Sequence, residues 1–258
     1  MKTRYSNLNN VTNKKTFRDM RKWQKERRSK VKDLTKNIPQ CSNKRVQELK
    51  ENRSQISYTW IGHSTFLLQL NGLNILTDPV WAKRMGFEKR LTEPGIPLEE
   101  LPEIDVVVIS HGHYDHLDFP TLKKIRGNPQ YFVPEGLKSL FIKKGFQNVT
   151  EMKWWETTEY KGLNIQFVPA QHWTRRSLND MNTSHWGGWI FQTANQTFYF
   201  VGDTGYFPGF KEIADRYTID TVFMPIGAYE PEWFMADSHI SPEDSVKAFI
   251  ELNAKKFV

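Results

Sequence analysis

The chain has 258 residues, of which 38% are hydrophobic and 14% aromatic, enough for a substantial core in one large domain or two small ones. Its single cysteine, Cys41, excludes a disulfide framework within the chain and fits a reducing compartment. Residues 1–8 lack the apolar stretch of a signal peptide, and no segment approaches the roughly 18 apolar residues of a membrane span. These features predict a cytoplasmic protein, in solution or peripheral to the inner face of the membrane.

Positive charge is concentrated at the N-terminus. The net charge is +7, but residues 1–53 hold 17 Lys and Arg against 5 Asp and Glu. Residues 54–258 hold 19 Lys and Arg against 24 Asp and Glu, so this part is acidic. The sequence therefore predicts a basic N-terminal arm, residues 1–53, followed by an acidic body, residues 54–258.

Within the basic arm, residues 14–36 are predicted to form a helix with a partial apolar stripe among many basic side chains. The stripe consists of Phe17, Met20, Trp23, Val31 and Leu34. One interpretation is peripheral contact with an anionic membrane, and a second is contact with nucleic-acid phosphates. The third is a solvated charged helix packed loosely on the body by Phe17 and Trp23. The acidic body makes nucleic acid an unlikely partner.

The body alternates apolar segments with turn signals and short helical patterns. Asn71-Gly72 between two apolar segments indicates a hairpin, because both central positions of that turn need a positive φ. The predicted strands cover residues 56–60, 66–70, 74–77, 106–110, 131–133, 149–152, 163–168, 188–192, 197–201 and 221–224. The predicted helices cover residues 119–126, 135–144 and 241–253. Mixed strands with intervening helices indicate a layered α/β or α+β domain.

The densest chemical signal follows the predicted buried strand over residues 106–110. Residues 111–116, HGHYDH, hold His111, His113, Asp115 and His116, and thus three of the seven histidines of the chain. Imidazole and carboxylate groups suit zinc and other borderline divalent metals. The alternative is a polar surface loop with no ligand. The spacing, and the strand before it, favour a metal site.

Two further ligand candidates also lie just beyond predicted strands. His172 follows the strand over residues 163–168, and Asp203 follows the strand over residues 197–201. Ligands collected from several strand ends form an open site on a rigid scaffold, an arrangement that favours catalysis. Asp203 is a ligand candidate because it stands within Gly202-Asp203-Thr204-Gly205 and because the other ligand candidates accompany it.

At this point the sequence resembles the metallo-β-lactamase superfamily, whose HxHxDH signature matches residues 111–116. The order of that signature, then His172, then Asp203, is similar to the dinuclear hydrolases of the superfamily. The branch that it resembles contains the N-acyl-phosphatidylethanolamine-hydrolysing phospholipase D and its bacterial relatives. The motifs that carry this resemblance are residues 59–66 (TWIGHSTF), 76–81 (LTDPVW), 169–173 (PAQHW), 202–206 (GDTGY) and 225–231 (PIGAYEP).

The resemblance implies a four-layer αββα sandwich, of class α+β, with two zinc ions at one edge of its sheets. His111, His113 and His172 would hold the first zinc, Asp115 and His116 the second, and Asp203 would bridge both. The family closes its second site with a last His beyond the strand that follows the helix over residues 241–253. Here that strand is expected over residues 255–258, where the sequence ends.

The resemblance therefore implies a chain without the last strand and helix of the sandwich, and we expect a truncated chain rather than an evolved short form. The second metal site would lack one ligand and bind its zinc more weakly. Neither His185 nor His239 is expected to replace that ligand.

The function that the resemblance implies is a zinc-dependent phosphodiesterase of phospholipase D type, acting through a metal-bound hydroxide. Asp115 would also orient that hydroxide, and His239 would donate a proton or contact the phosphate. One alternative is a lactone, amide or thioester hydrolase on the same dinuclear centre. A second is an inactive or weakly active metal-binding fragment. The substrate would be a phospholipid or another small molecule.

Other residues near these motifs have weaker expected roles. We expect His63 to be structural or to support the ligands, and Asp78 to orient a ligand histidine. Two charged side chains after His172, Arg175 and Arg176, are candidates for phosphate contact. The candidates for lining an apolar substrate groove are Trp173, Tyr229 and Trp233.

Overall fold

The computed structural model of the chain describes residues 3–31, 38–85 and 88–258. Within these ranges the strands are β1 (Ser57–Gly62), β2 (Thr65–Leu70), β3 (Leu73–Thr77), β4 (Arg84–Met85), β5 (Glu88–Lys89), β6 (Val106–Val108), β7 (Gln130–Pro134), β8 (Val149–Met152), β9 (Thr157–Tyr160), β10 (Leu163–Pro169), β11 (Gly187–Gln192), β12 (Thr197–Phe200), β13 (Thr221–Phe223) and β14 (Lys256–Phe257). The helices are α1 (Phe17–Ser29), α2 (Val46–Glu51), α3 (Phe119–Leu122), α4 (Lys138–Lys143), α5 (Gly209–Arg216), α6 (Glu232–Met235) and α7 (Pro242–Glu251).

The strands form two six-stranded mixed sheets. The first has the order β1-β2-β3-β6-β7-β8, and the second has the order β14-β13-β12-β11-β10-β9. The first three strands of the first sheet are antiparallel, and β3, β6, β7 and β8 are parallel. In the second sheet β9 to β12 are antiparallel, and β13 and β14 continue in parallel.

The two sheets pack face to face, with helices on both outer faces. Successive side chains of a strand point to opposite faces, so Leu67 packs towards the helices and Leu68 into the space between the sheets. Both are fully buried, because each sheet is covered on both sides. Phe119 of α3 covers the first sheet, and Phe210 of α5 covers the second. This arrangement confirms the predicted αββα sandwich; the expectation of further elements beyond Val258 stays a prediction.

Hydrogen bonds join the sheets at the edge where β6, β10 and β12 end. The Gly187 N–H donates to the carbonyl of Ser110 at 3.0 Å. The Trp189 indole donates to the carbonyl of Ile109, also at 3.0 Å. Both donors belong to the second sheet and both acceptors follow β6 of the first, so the two halves of the sandwich are fixed to each other at this edge.

The helix ends differ from the sequence predictions. The helix predicted over residues 14–36 is α1, which starts after Thr16 because Thr16 and Asp19 form a capping box. Val31 is 94% exposed beyond its end, and Leu34 lies outside the described residues. The helices predicted over 119–126 and 135–144 are shorter: α3 ends at Leu122, and α4 begins at Lys138 after a turn at Gly136, which has φ +94°. The strands β4, β5 and β9 and the helices α2, α5 and α6 were not predicted.

Much of the predicted basic arm packs on the body. Tyr5 stacks on His185 with ring centroids 4.5 Å apart. Of the two aromatic side chains expected to pack α1, Trp23 stacks on Phe234 at 5.2 Å, whereas Phe17 is 77% exposed. Among the described residues, no helix has the length and apolar character needed to cross a bilayer.

Candidate metal centre

The histidine-rich loop begins where β6 ends, and a glycine fixes its shape. An added Cβ at Gly112 would lie 2.7 Å from the Thr174 hydroxyl oxygen, so a larger residue would push the loop away from its neighbour. Gly112 therefore lets this loop approach the segment that follows His172 closely. The imidazoles of His111 and His113 come together with that of His172, which follows β10.

Three imidazole nitrogens form the first ligand cluster. His111 Nε2 lies 2.9 Å from His113 Nδ1, and His172 Nε2 lies 3.2 Å from the same atom. His111 and His172 are each 1% exposed. These are the three residues that the resemblance assigned to the first metal, and the structure brings them together.

Hydrogen bonds fix which nitrogens of this cluster are free. The Nδ1 of His172 donates to the carbonyl of Ser238 at 2.9 Å, because a carbonyl can only accept. The Ser110 hydroxyl donates to the Asp78 carboxylate at 2.5 Å, so it accepts from His111 Nδ1 at 2.9 Å. In the neutral rings the Nε2 atoms of His111 and His172 therefore carry no proton. Each presents a lone pair towards His113 Nδ1.

Burial keeps the three imidazoles neutral. Desolvation lowers the pKa of His113 to about 4 and holds the pKa values of His111 and His172 well below the usual histidine value. Only the neutral imidazole can act as a metal ligand. The first cluster is thus in the ligating form over the ordinary pH range.

A second cluster adjoins the first and is built from one imidazole and two carboxylates. His116 Nε2 lies 3.2 Å from Asp203 Oδ2 and 3.7 Å from Asp115 Oδ2. The other ring nitrogen of His116 donates to Asp78 Oδ2 at 2.7 Å. The expected orienting role of Asp78 is therefore visible as a hydrogen bond to a ligand candidate, and His63 Nε2 contacts Asp115 Oδ2 at 3.2 Å.

Asp203 lies between the two clusters. Its Oδ2 is 3.2 Å from His116 Nε2 and 3.9 Å from His172 Nε2. The preceding Gly202 has φ +70°, and an added Cβ there would lie 2.7 Å from the Ser110 side chain. Gly202 thus lets the chain after β12 approach the first sheet closely enough for Asp203 to reach both clusters.

The carboxylates set the charge of the second cluster. Burial disfavours a charged His116, but Asp203 and Asp115 outweigh it and hold the pKa of His116 well above the usual value. In return, and against the effect of burial, His116 holds the pKa of Asp203 well below the usual value. A metal cation and a proton therefore compete for His116 Nε2, and acidification favours the proton.

The donor chemistry fits a pair of divalent metal ions. His116 Nε2 is buried and faces the Asp203 and Asp115 carboxylates at 3.2 and 3.7 Å without a well-formed hydrogen bond. In the first cluster, His113 Nδ1 lies 2.9 and 3.2 Å from two bare lone pairs and can donate its one proton to only one of them at a time, so the other stays unpaired unless a cation accepts it. His111, His113 and His172 could hold one ion, and Asp115 and His116 a second, with Asp203 between them.

An apolar cleft of about 670 Å³ opens beside Asp115, Asp203 and His239. Its apolar wall includes Trp60, Phe66, Phe200, Phe223, Met224 and Ile226. The aromatic residues expected to line a groove are elsewhere: Trp173 packs on His113 at 4.5 Å between ring centroids, and Tyr229 and Trp233 lie beside α1. The sequence could not separate them, because the aromatics of the cleft come from strands that also build the core.

Arg176 supports the histidine-rich loop from outside, and hydrogen bonds to that loop already engage its guanidinium. Its guanidinium donates to the carbonyls of Gly112 at 2.8 Å and Leu117 at 3.0 Å and lies 4.1 Å from the Tyr114 ring centroid. Arg175 donates to the carbonyl of Ser177 at 2.8 Å. The phosphate role considered for this pair finds no support in these contacts.

Sequence reasoning missed Ser110 and Ser238, which hold His111 and His172 in their orientations. Ser110 could have been noticed because it directly precedes the loop. The contact of Ser238 joins positions 66 residues apart and leaves no local pattern.

The comparisons with known proteins agree with this geometry. A family model described as a β-lactamase superfamily domain matches residues 73–258. The chain belongs to the metallo-β-lactamase superfamily. The N-acyl-phosphatidylethanolamine-hydrolyzing phospholipase D 1 of Caenorhabditis elegans is 41% identical over 80% of this chain and 64% of its own length. The mitochondrial yeast protein of that name is 36% identical over 81% of this chain and 48% of its own length.

Two solved structures show the same fold. An isothiocyanate hydrolase from Delia radicum gut bacteria has a TM-score of 0.65 and 22% identity, with 78% of this chain and 82% of that chain covered. The metallo-hydrolase Igni18 of Ignicoccus hospitalis has a TM-score of 0.58 and 23% identity, with 78% and 80% covered. The chain spans about half to two thirds of the phospholipase D relatives.

Replacing Asp78 by Asn should weaken metal binding at the second cluster. The amide keeps the shape, but its NH2 group cannot accept a hydrogen bond. It must replace either the oxygen that accepts from the Ser110 backbone N–H or the oxygen that accepts from His116 Nδ1 and the Ser110 hydroxyl, so the buried network that orients His116 is broken. Loss of such a partner weakens metal affinity about 10- to 100-fold. Isothermal titration of the metal-free protein with Zn²⁺ measures this change.

Asp220→Asn is the matched control, because Asp220 accepts hydrogen bonds from Thr197 and Lys255 away from the site. Its zinc affinity should equal that of the unaltered chain. Equal affinity in Asp78→Asn and Asp220→Asn would contradict the orienting role of Asp78.

Proposed function

We propose that this protein is a zinc-dependent hydrolase that cleaves phosphodiesters in the manner of a phospholipase D. The observation that carries the proposal is the pair of ligand clusters joined by Asp203 at the edge of an apolar cleft. The 41% identity to a phospholipase D that acts on N-acyl-phosphatidylethanolamine supports the substrate class. Function follows from the site and not from the fold alone, so the proposal rests on these ligands.

Zinc is the metal that suits the donors best. Four imidazoles and two carboxylates are available in closely spaced positions, without a thiolate; His111, His116 and His172 are buried, and the other three are partly exposed. Imidazole with carboxylate is typical of catalytic zinc, whereas magnesium and calcium prefer sites made wholly of oxygen. We assign two zinc ions to each chain, one to each cluster.

Zinc ions held by these two clusters would supply a bound water of lowered pKa and neutralise charge on a phosphoryl oxygen. Asp115 would orient that water. Its carboxylate is held ionised by His116 and by a contact with His63 at 3.2 Å, which outweigh burial and lower its pKa. An ionised carboxylate accepts a hydrogen bond and so directs the oxygen lone pair of the water towards phosphorus.

His239 would supply the proton that the leaving group needs. Its Nδ1 lies 3.8 Å from Asp203 Oδ2, its side chain is 20% exposed, and it lines the apolar cleft. In the proposed reaction the water oxygen bonds to phosphorus, the bond from phosphorus to the ethanolamine oxygen breaks, and that oxygen takes a proton. His239 can donate this proton or contact the phosphate.

Replacing His239 by Gln should lower kcat for phosphodiester hydrolysis about 100- to 10,000-fold, the usual contribution of a general acid. Metal content should stay unchanged, because both assigned clusters keep their ligands. The measurement compares hydrolysis of bis-(p-nitrophenyl) phosphate and of N-acyl-phosphatidylethanolamine in vesicles with that of a homoserine lactone and a cephalosporin.

His185→Phe is the matched control, since His185 stacks between Tyr5 and Trp154 outside the clusters. This variant should hydrolyse phosphodiesters at the rate of the unaltered chain. Turnover confined to the lactone would reject the phosphodiesterase proposal. A protein that holds zinc and hydrolyses none of the four substrates would favour a metal-binding fragment.

We also propose that α1 contacts an anionic membrane beside the site. The segment Phe17–Ser29 holds six Lys and Arg against two Asp and Glu. Its inner face is fixed to the body by Trp23 on Phe234 and by the Trp233 indole, which donates to Glu26 at 2.9 Å. Its outer face presents the exposed Phe17 and Met20 among arginines, a pattern typical of interfacial helices. This contact would place the protein at the inner face of the membrane.

Replacing Arg18 and Arg21 by Gln should weaken binding to vesicles of phosphatidylcholine with phosphatidylglycerol about 30-fold, at about 1 kcal/mol for each cation. Both arginines are exposed on the outer face of α1. Vesicle sedimentation measures the binding, which should also weaken as salt rises.

The matched control neutralises two other exposed cations, Lys123 and Lys124, at the end of α3. That variant should bind anionic vesicles as the unaltered chain does. Equal binding by both double variants would contradict a membrane contact through α1, and tighter binding to DNA than to vesicles would favour nucleic acid instead.

A further inference from the structure

A segment close to the N-terminus crosses the back of the first ligand cluster. We call residues 5–15 the N-terminal strap. It is anchored at its start, where the Tyr5 N–H donates to the carbonyl of Asn182 at 2.9 Å and the Tyr5 ring stacks on His185. It is anchored at its end, where Lys15 Nζ lies 2.8 Å from Asp237 Oδ2. Between these anchors it contacts the loop that carries His172.

Asn7 is the most buried residue of the strap, at 5% exposure. Its side-chain oxygen accepts from the backbone N–H of His172 at 3.0 Å and from the Trp186 indole at 2.9 Å. Its amide group donates to the carbonyl of Val11 at 2.8 Å, which fixes the side chain itself. Asn7 therefore holds the backbone of a ligand candidate 165 positions further along the chain.

Asn13 holds the other backbone group of the same residue. Its side-chain nitrogen donates to the carbonyl of His172 at 3.2 Å. Its side-chain oxygen accepts from the Ser238 hydroxyl at 3.3 Å. The carbonyl of Ser238 is in turn the acceptor that orients the His172 ring. Asn13 thus connects the His172 backbone with the loop that fixes the His172 ring.

We propose that Asn7 and Asn13 are positioning residues for His172, and that the N-terminal strap determines how tightly the first cluster holds its metal. His172 follows β10 on a loop, and loops are mobile unless other groups hold them. A metal ligand must stay within about 0.5 Å of its productive position. Both backbone groups of His172 are held by the strap, so its position depends on a segment far away in sequence. This proposal rests on the proposed metal centre and not on the proposed substrate.

The direct test replaces Asn7 by Leu, which has nearly the same shape and cannot accept a hydrogen bond. Zinc should leave the Asn7→Leu protein about 10- to 100-fold faster than the unaltered chain, as loss of an outer partner of a ligand predicts. The rate is measured with a chromophoric chelator in excess. The visible absorption of the cobalt-substituted protein should change as well, because the geometry of the His172 ligand changes.

A control variant in the strap and a second test variant separate positioning from general stability. Asn10→Gly also lies in the strap, at an exposed position with φ +56° that glycine adopts freely, and should leave the rate unchanged. Asn13→Leu, at a less buried position, should release zinc faster and covers the case in which Asn7→Leu fails to fold.

The outcomes distinguish this proposal from the proposed function. Fast release in Asn7→Leu or Asn13→Leu with slow release in Asn10→Gly supports the positioning role. Slow release in all three variants, each folded, overturns it and leaves the proposed hydrolase intact. An unaltered chain that binds no zinc overturns both. A lower melting temperature with unchanged release rate and cobalt spectrum would show a merely structural role and also overturns the proposal.

Discussion

Three imidazole nitrogens, of which His113 Nδ1 lies 2.9 and 3.2 Å from the other two, impose the strongest demand on this structure. The other two carry bare lone pairs, because the opposite ring nitrogens of His111 and His172 already donate to Ser110 and Ser238. His113 Nδ1 can donate to only one of these lone pairs at a time, so the other loses its hydration without a hydrogen bond in return. A cation that accepts the lone pairs turns this cost into binding free energy, and the surrounding structure is arranged to hold the rings ready for it.

The scaffold meets that demand by bringing three strand ends to one edge. The histidine-rich loop follows β6, His172 follows β10, and Asp203 follows β12. Hydrogen bonds from Gly187 and Trp189 fix the two sheets to each other beside these residues. Asp78 ties the clusters to each other, since its carboxylate accepts both from Ser110, which holds His111, and from His116. The two clusters therefore share one buried carboxylate behind them and Asp203 between them. A displacement of Asp78 would therefore disturb His111 and His116 together, one ligand candidate of each cluster.

The ligand candidates could be predicted from the sequence because each one follows a strand, and strands have a clear apolar pattern. The apolar segment before HGHYDH and the matching positions of His172 and Asp203 indicated one edge. The alternation of strands and helices indicated only a layered α/β or α+β domain, and the αββα sandwich was implied by the resemblance to the superfamily. The partners of the ligands could not be predicted. Asn7 and His172 are 165 positions apart, and the short polar segment around Asn7 has no sequence pattern that indicates a contact at that distance. One helix start was missed for a local reason: the turn at Gly136, which has a positive φ, delays the start of α4.

The most direct measurement of the central claim is X-ray diffraction from crystals grown with zinc, recorded on both sides of the zinc absorption edge. The account predicts two anomalous peaks. One would lie among the facing nitrogens of His111, His113 and His172, and the other beside His116 Nε2 and Asp115, with an Asp203 oxygen between them. A chain without anomalous density at these residues, or with a metal bound only elsewhere, would contradict the account.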